Sequence, residues 1–272
     1  MFNTGTNLLY EYLSHNCLNP ARLSEYDKGI HWQVPWGKHS PLSYRGLRYA
    51  ETDDATRNLD NFLPIVMIKD PYTWMQSLCR NQYTADWDFT LKHCPNLIPN
   101  EVDKYYGFVN DIDHEKQLLQ NGIPMTIAYN PNTTQYNNMA AAWNTWYGEY
   151  FEAKIPRLIV RFEDLMLHAK SIITEICQCF GGRLKNETKF HYVTGSSKSK
   201  ELGHGNFTPG LMHALLLYTN SSNRIKLFTK DDLVFANEVL NKTMMGLLSY
   251  SIPSSDQLTN PWRTVPFRNS TR

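Results

Sequence analysis

The sequence opens with Phe2-Asn3-Thr4-Gly5-Thr6-Asn7-Leu8-Leu9, and this stretch, with a second one at residues 69–80, decides the expected fold. The second stretch follows a continuous apolar run at residues 63–68. Such a run predicts a strand buried on both faces, as in a parallel sheet. Each stretch places small or hydroxyl residues where a helix should begin, and the N–H groups and dipole of a helix start attract anions. The two stretches therefore predict a ligand with phosphate-like groups at both ends.

Apolar periodicity predicts the remaining elements. A helix is expected from Thr6 to Cys17, a short strand from Ile30 to Val34, and a helix from Tyr72 with Pro71 in its first turn. Further helices are expected at residues 114–120, 137–151, 169–180 and 230–248, with Thr229 as the N-cap of the last, and further strands at 124–128 and 157–161. Strands that alternate with helices indicate an α/β fold with a parallel sheet.

The chain is expected to form one domain over residues 1–250, with residues 82–136 as an insertion over the acceptor side and residues 251–272 as a loose tail. In a strand–loop–helix phosphate site a strand precedes the loop. Here the loop begins at Asn3, so the first strand is expected to be truncated. Either the chain is a fragment or a gene model with a late start, whose missing N-terminus could also have held a signal anchor, or the sheet lacks a strand beside its ligand site.

Composition bears on the expected partners, metal sites and compartment. The net charge of +1 gives no electrostatic reason to expect nucleic acid as a partner. The five cysteines lack CxxC spacing, so no structural zinc site is expected, and Cys177-Gln178-Cys179 is predicted to be half-buried helix surface rather than a redox pair. No apolar run reaches the roughly 20 residues that span a bilayer. Six N-x-[ST] sequons favour a lumenal protein.

Two motifs carry the expected chemistry. The loop at residues 3–7 is not a Walker A loop, because no Gly-Lys-[Ser/Thr] follows. Gly5 would allow a close approach of the backbone to a ligand, while Thr6 and Asn7 could donate side-chain hydrogen bonds. In the second motif a cation, Lys69, ends a buried strand, and Ser77 lies two turns into the next helix. A cation and a hydroxyl in the same crevice would make a second phosphate site.

In this order the two motifs resemble those of sulfotransferases that depend on 3′-phosphoadenosine 5′-phosphosulfate (PAPS). The resemblance extends to Trp143-Asn144-Thr145-Trp146-Tyr147, to residues 158–165 and to Leu247-Leu248-Ser249-Tyr250. It implies a three-layer P-loop NTPase-like fold with a central, mostly parallel sheet, PAPS as co-substrate, no metal, and a hydroxyl of a carbohydrate or small molecule as acceptor. It also implies that the 5′-phosphosulfate is held by Asn3, Thr4, Gly5, Thr6, Asn7 and Leu8, and that the 3′-phosphate is held by Lys69 and Ser77 in a motif completed by Arg80.

The chain departs from the family at its first cation. Asn3 stands where the family commonly has a lysine that neutralises the leaving oxygen, and Lys69 replaces the commoner arginine. Lys38 is the expected substitute for that lysine, and His39 is the expected base, because their segment follows the strand after the first helix. Lys198 and Lys200 are the candidates for a basic loop over the 3′-phosphate.

Other assignments stay open. His93 is an alternative base, and His204, between glycines, is expected to be a loop residue. Residues 160–164 resemble a Walker B strand, so a P-loop kinase-like phosphotransferase is an alternative, against which the absent Gly-Lys-[Ser/Thr] argues. A truncated, non-catalytic chain with the sulfotransferase fold is a third. The Golgi lumen or membrane is the favoured location, with the cytoplasm as the alternative and membrane association only through a missing N-terminal anchor.

Overall fold

The computed structural model describes residues 1–19, 29–47, 59–87, 94–129, 132–195 and 210–258. The chain is a mixed α/β protein with helices and small sheets. Within these residues the α-helices are α1 (Thr6–Asn16), α2 (Pro71–Arg80), α3 (Glu101–Tyr105), α4 (Ile112–Asn121), α5 (Met139–Glu152), α6 (Phe162–Leu167), α7 (Ala169–Cys179), α8 (Leu211–Thr219), α9 (Lys230–Val239) and α10 (Lys242–Leu247). The strands are β1 (Cys17–Leu18), β2 (Ile65–Ile68), β3 (Ala85–Asp86), β4 (Met125–Ala128), β5 (Thr133–Tyr136), β6 (Leu158–Arg161) and β7 (Arg183–Leu184).

The chain divides into two compact units. The first contains residues 3–70 and 149–219 with Met1, and the second contains residues 71–148 and 220–272 with Phe2.

The first unit is organised around a parallel strand pair. Strands β2 and β6 pair in register from Ile65 opposite Leu158 to Ile68 opposite Arg161. The short strands β1 and β7 form a separate antiparallel pair. Parallel pairing was expected from the two apolar runs, but among the described residues this sheet has only two strands.

The apolar face of α1 forms much of the core of this unit. Leu8, Leu9, Tyr12 and Leu13, spaced at helical intervals, pack with Met67 of β2, Val160 of β6 and buried side chains of α6 and α7. A disulfide joins Cys17 to Cys177 in this core. Cys177 is fully buried whereas Cys179 is an exposed free thiol, so the segment 177–179 is half-buried at the end of α7 as predicted, and its two cysteines do not pair with each other.

The second unit has an antiparallel sheet and its own core. Strand β4 lies between β3 and β5, and a disulfide joins Cys79 to Cys94. Asp232 is fully buried near the start of α9, and its carboxylate accepts from the backbone N–H of Leu97 at 2.9 Å. Thr229 caps α9 by accepting from the Asp232 N–H, as the sequence predicted.

The structure corrects three sequence predictions. Residues 30–34 form no strand; a turn follows there, in which the Gly37 N–H donates to the Val34 carbonyl. The helix expected over residues 230–248 is two helices, because Asn241 caps α10 with its own side chain. Helix α8 was not predicted at all. Its neighbours Lys198, Lys200 and His204 lie outside the described residues, as does His93.

The other predicted elements are confirmed to within two residues at their described ends. They are the helices at α1, α2, α4, α5 and α7 and the strands at β2, β4 and β6. Pro71 is the first residue of α2, where its missing N–H leaves no helical hydrogen bond unmade. Within the part of the chain that the structure describes, none of the helices combines the length and the apolar character that a membrane span requires.

Candidate functional site

The first predicted phosphate loop leads directly into α1. Gly5 occupies the N-cap position with φ 84° and ψ 21°, a left-handed conformation that favours glycine. Because Gly5 has no side chain, this position cannot cap the N–H groups of the first turn. The loop before it is held by Thr4, which is buried and donates from Oγ1 to the Met1 carbonyl at 2.9 Å. The local sequence therefore builds a rigid entry to a helix N-terminus.

A second reason for glycine at position 5 comes from Phe162. A Cβ atom at Gly5 would lie 2.5 Å from Cδ2 of the Phe162 ring, which is closer than real Cβ contacts. Phe162 follows β6 directly and is 7% exposed, so the ring has little room to move. The sequence predicted that Gly5 permits a close approach to a ligand. In the structure the close neighbour of Gly5 is a core side chain.

The ammonium group of Lys38 reaches the first turn of α1, and its role as a substitute cation stays a prediction. Its Nζ donates to Oδ1 of Asn7 in the first turn of α1 and sits 3.5 Å from the centroid of the Trp32 ring. Burial lowers the pKa of Lys38 to about 8. Lys38 thus provides a cation at the helix start whose charge titrates close to neutral pH. The strand that led us to place Lys38 here is absent, yet the residue reaches the predicted position.

A short turn holds Lys38 and its neighbour in place. Trp36, on one side, is 1% exposed and donates from Nε1 to the Tyr150 hydroxyl at 3.0 Å. That hydroxyl donates in turn to the Ser40 carbonyl at 3.2 Å, on the other side. Gly37 has φ 108°, and a Cβ there would meet Ser40 Oγ at 2.6 Å. Tyr150 therefore fixes both ends of the turn that carries Lys38 and His39.

His39 is held beside the start of the chain. Its Nδ1 lies 3.1 Å from the Met1 carbonyl oxygen, and since a carbonyl only accepts, Nδ1 carries the proton of the neutral ring. Nε2 then carries the lone pair, as a general base requires. Burial, followed by the charges of the N-terminal ammonium and Lys38, lowers the pKa of His39 well below its usual value. The ring is therefore neutral at pH 7.

Lys69, at the end of β2, is a buried cation among aromatic rings. It is 2% exposed, and its Nζ donates to the Tyr218 hydroxyl at 2.8 Å. The same Nζ lies 4.6 Å from the Phe162 ring centroid and 4.3 Å from that of Tyr218. Gly5 and Lys69 therefore approach the same ring, that of Phe162. No role for Phe162 or Tyr218 was predicted from the sequence, and Tyr218 lies on α8, a helix that was not predicted either.

The ends of β2 and β6 are also joined by a polar contact. The N–H of Asp70, after β2, donates to Oε1 of Glu163, after β6, at 3.0 Å. The parallel pair thus brings Asp70 and Glu163 together at its carboxyl end, where ligands of open α/β sheets bind.

Ser77 and Arg80 belong to the second unit. Ser77 is buried within α2, and its Oγ donates to the Thr73 carbonyl at 2.8 Å while accepting from Arg80 at 3.0 Å. These contacts fix the hydroxyl along the helix. The predicted role of Ser77 in binding a 3′-phosphate stays a prediction.

Comparisons with protein-family models, with curated proteins and with solved structures gave no match. Among the described residues no group of three or more His, Cys, Asp or Glu side chains is arranged to hold a metal ion.

Proposed function

We propose that this chain is a PAPS-dependent sulfotransferase that transfers a sulfuryl group to a hydroxyl of a carbohydrate or small molecule. In this proposal its fold is the three-layer P-loop NTPase-like fold with a central, mostly parallel sheet. The observation that carries the proposal is the hydrogen bond from Lys38 to Asn7. It puts a cation on the first loop of a chain whose loop lacks the usual lysine.

The chain's own residues supply what sulfuryl transfer requires. Bound PAPS would supply the sulfuryl group and a phosphate leaving group. The first turn of α1, with Asn3, Thr4, Thr6 and Leu8 around Gly5, would bind the phosphosulfate through N–H groups and the helix dipole. His39 would accept the proton of the acceptor hydroxyl at Nε2 as the new O–S bond forms. Lys38 would stabilise the negative charge left on the phosphate as the old S–O bond breaks.

Lys69 would meet the second phosphate of the nucleotide. The Lys69 ammonium group donates to the Tyr218 hydroxyl and would add a charge-assisted contact to the phosphate. The neighbouring Phe162 and Tyr218 rings keep this cation in low-dielectric surroundings, where a charge–charge contact is stronger than in water. The contact requires only a phosphate of the ligand at the end of β2. It does not depend on the nucleobase.

The first experiment measures binding. Thermal unfolding is followed with adenosine 3′,5′-bisphosphate and, separately, with ATP and Mg²⁺. A ligand that binds only the folded chain at 100 times its Kd stabilises it by about 2.7 kcal/mol. We expect the bisphosphate to raise Tm without metal and Lys69→Met to reduce that shift. A shift with ATP and Mg²⁺ alone would favour a kinase-like phosphotransferase instead.

The second experiment measures turnover with radiolabelled PAPS and a panel of carbohydrate acceptors. We expect Lys38→Met to lower kcat by about 10²–10³-fold, as removal of a transition-state donor does. His39→Ala should lower it by about 10²–10⁴-fold. The matched controls are Lys116→Met and His114→Ala on α4, where the Lys116 side chain is 72% exposed. Binding of the bisphosphate without any turnover would identify a non-catalytic chain, and no binding at all would overturn the proposal.

A further inference from the structure

Four of the six sequons lie in the described part of the chain, and each of them has an exposed asparagine. These asparagines are Asn132, Asn186, Asn220 and Asn241. N-glycans are bulky and need a surface position. Buried asparagines do occur in this chain, at positions 16, 96 and 138, and none of those begins a sequon. The sequence alone does not show which asparagines are exposed. In the structure all four of these sequon asparagines are.

Two of these sequons share a hydrogen-bond arrangement. Thr188 donates to Asn186 Oδ1 from its N–H at 3.0 Å and from its hydroxyl at 2.9 Å. Ser222 donates to Asn220 Oδ1 in the same way, at 3.0 Å and 2.7 Å. The hydroxyl that defines each sequon thus holds the amide oxygen of its asparagine. The amide nitrogen, which is the atom that would carry a glycan, is at the other end of the group.

The amide nitrogens of three sequon asparagines are not used in the hydrogen bonds of their turns and caps. Within the described residues, Nδ2 of Asn186, Asn220 and Asn241 makes no hydrogen bond. Asn241 uses only its Oδ1, which accepts from the Met244 N–H at the start of α10. A substituent on Nδ2 would consequently leave the turns and the helix cap unchanged.

The disulfides are an independent observation that points the same way. Four of the five cysteines are paired, as Cys17–Cys177 and Cys79–Cys94. Disulfides of this kind form in oxidising compartments such as the lumen of the endoplasmic reticulum. Sequon glycosylation is a modification of proteins that pass through that compartment.

We infer that this protein is an N-glycoprotein with glycans on Asn132, Asn186, Asn220 and Asn241. The co-reactant is an oligosaccharide linked to a lipid diphosphate, and a transferase of the secretory pathway catalyses the step. A bond forms between the asparagine Nδ2 and the anomeric carbon of the first sugar, while the bond from that carbon to the diphosphate oxygen breaks. The diphosphate leaves with the bonding electrons, and Nδ2 loses one proton to a base. This inference does not depend on the sulfotransferase proposal.

The test labels each occupied site. The full chain is secreted from animal cells behind a cleavable signal and then treated with peptide N-glycosidase in H₂¹⁸O, which converts a glycosylated asparagine to ¹⁸O-labelled aspartate. We expect label at all four positions and none at Asn110, an exposed asparagine outside any sequon. Each single Asn→Gln change should remove one step of the mass shift on a gel.

Hydroxyl variants separate modification from folding. Thr188→Ala keeps Asn186 but should abolish its label, whereas Thr188→Ser should keep it. Ser222→Ala and Ser222→Thr form the matched pair for Asn220. These side chains are at the surface, so secretion of the variants should equal that of the wild type. Secreted protein without label at Asn186 and Asn220 would overturn the inference, as would unlabelled peptides in protein immunoprecipitated from the cells that naturally produce it.

Discussion

Substitution of Gly5 by alanine tests the geometry on which the candidate site depends. At φ 84° an L-residue pays about 1–2 kcal/mol for the left-handed conformation. The added Cβ would also lie 2.5 Å from the Phe162 ring, and overpacking of a buried contact costs about 1–3 kcal/mol. We therefore expect Gly5→Ala to reduce the free energy of unfolding by about 2–5 kcal/mol. A typical domain has only about 5–15 kcal/mol in total.

Two further glycines separate these contributions. Gly181 has φ 77° with nothing within 4 Å of an added Cβ, so Gly181→Ala should cost only about 1–2 kcal/mol. Gly148 lies within α5 with open space around it, so Gly148→Ala should stabilise the chain by about 0.5–1 kcal/mol.

Urea denaturation followed by circular dichroism measures all three variants. A loss of about 3 kcal/mol lowers the urea midpoint by about 1–3 M at ordinary m-values. The double variant Gly5→Ala/Phe162→Leu should recover most of the overpacking cost, which gives a coupling energy of about 1–3 kcal/mol. If Gly5→Ala costs no more than Gly181→Ala, or if Phe162→Leu shows no coupling to it, the close approach of Gly5 to Phe162 is refuted.

The remaining predictions concern the charges of Lys38 and His39 and the pairing of the cysteines. Because the pKa of Lys38 is lowered to about 8, the unfolded chain binds more protons than the folded chain between about pH 8 and the usual lysine pKa. The free energy of unfolding should therefore rise with pH across that window. Turnover should fall above pH 8, because it uses the Lys38 charge. The substitution Lys38→Met should abolish both trends. The lowered pKa of His39 means that stability is lost as pH falls below the usual histidine pKa, and His39→Asn should flatten this acid limb in denaturation curves. Maleimide labelling of the denatured chain should modify one thiol, Cys179, before reduction and all five afterwards. Alanine at both Cys17 and Cys177 should cost about 2–5 kcal/mol of stability, and two or more reactive thiols before reduction would contradict the pairing.

Local signals account for the elements that the sequence predicted well. The apolar spacing in α1 and the continuous apolar runs of β2 and β6 indicate which faces of these elements are buried. Because burial stabilises these elements, the pattern predicted them correctly. Thr229 was predicted as a cap because capping depends on residues only three positions apart. The prediction of a strand at residues 30–34 was wrong because strand formation also depends on distant segments. Alternation of apolar residues becomes a strand only when another strand is available to pair with it, and pairing is not local.

Long-range contacts decided the rest of the candidate site. The sequence alone determined that a helix begins after Gly5 and that Lys69 follows a buried strand, and it named Lys38 and His39 as groups able to carry charge or a proton. Only the tertiary structure brought Lys38 onto Asn7 and placed Lys69 against Phe162 and Tyr218. It alone paired Cys17 with Cys177, across 160 residues. The reason is physical: spacing along a chain fixes which face a residue occupies, but the partners on that face are chosen by how separate segments pack.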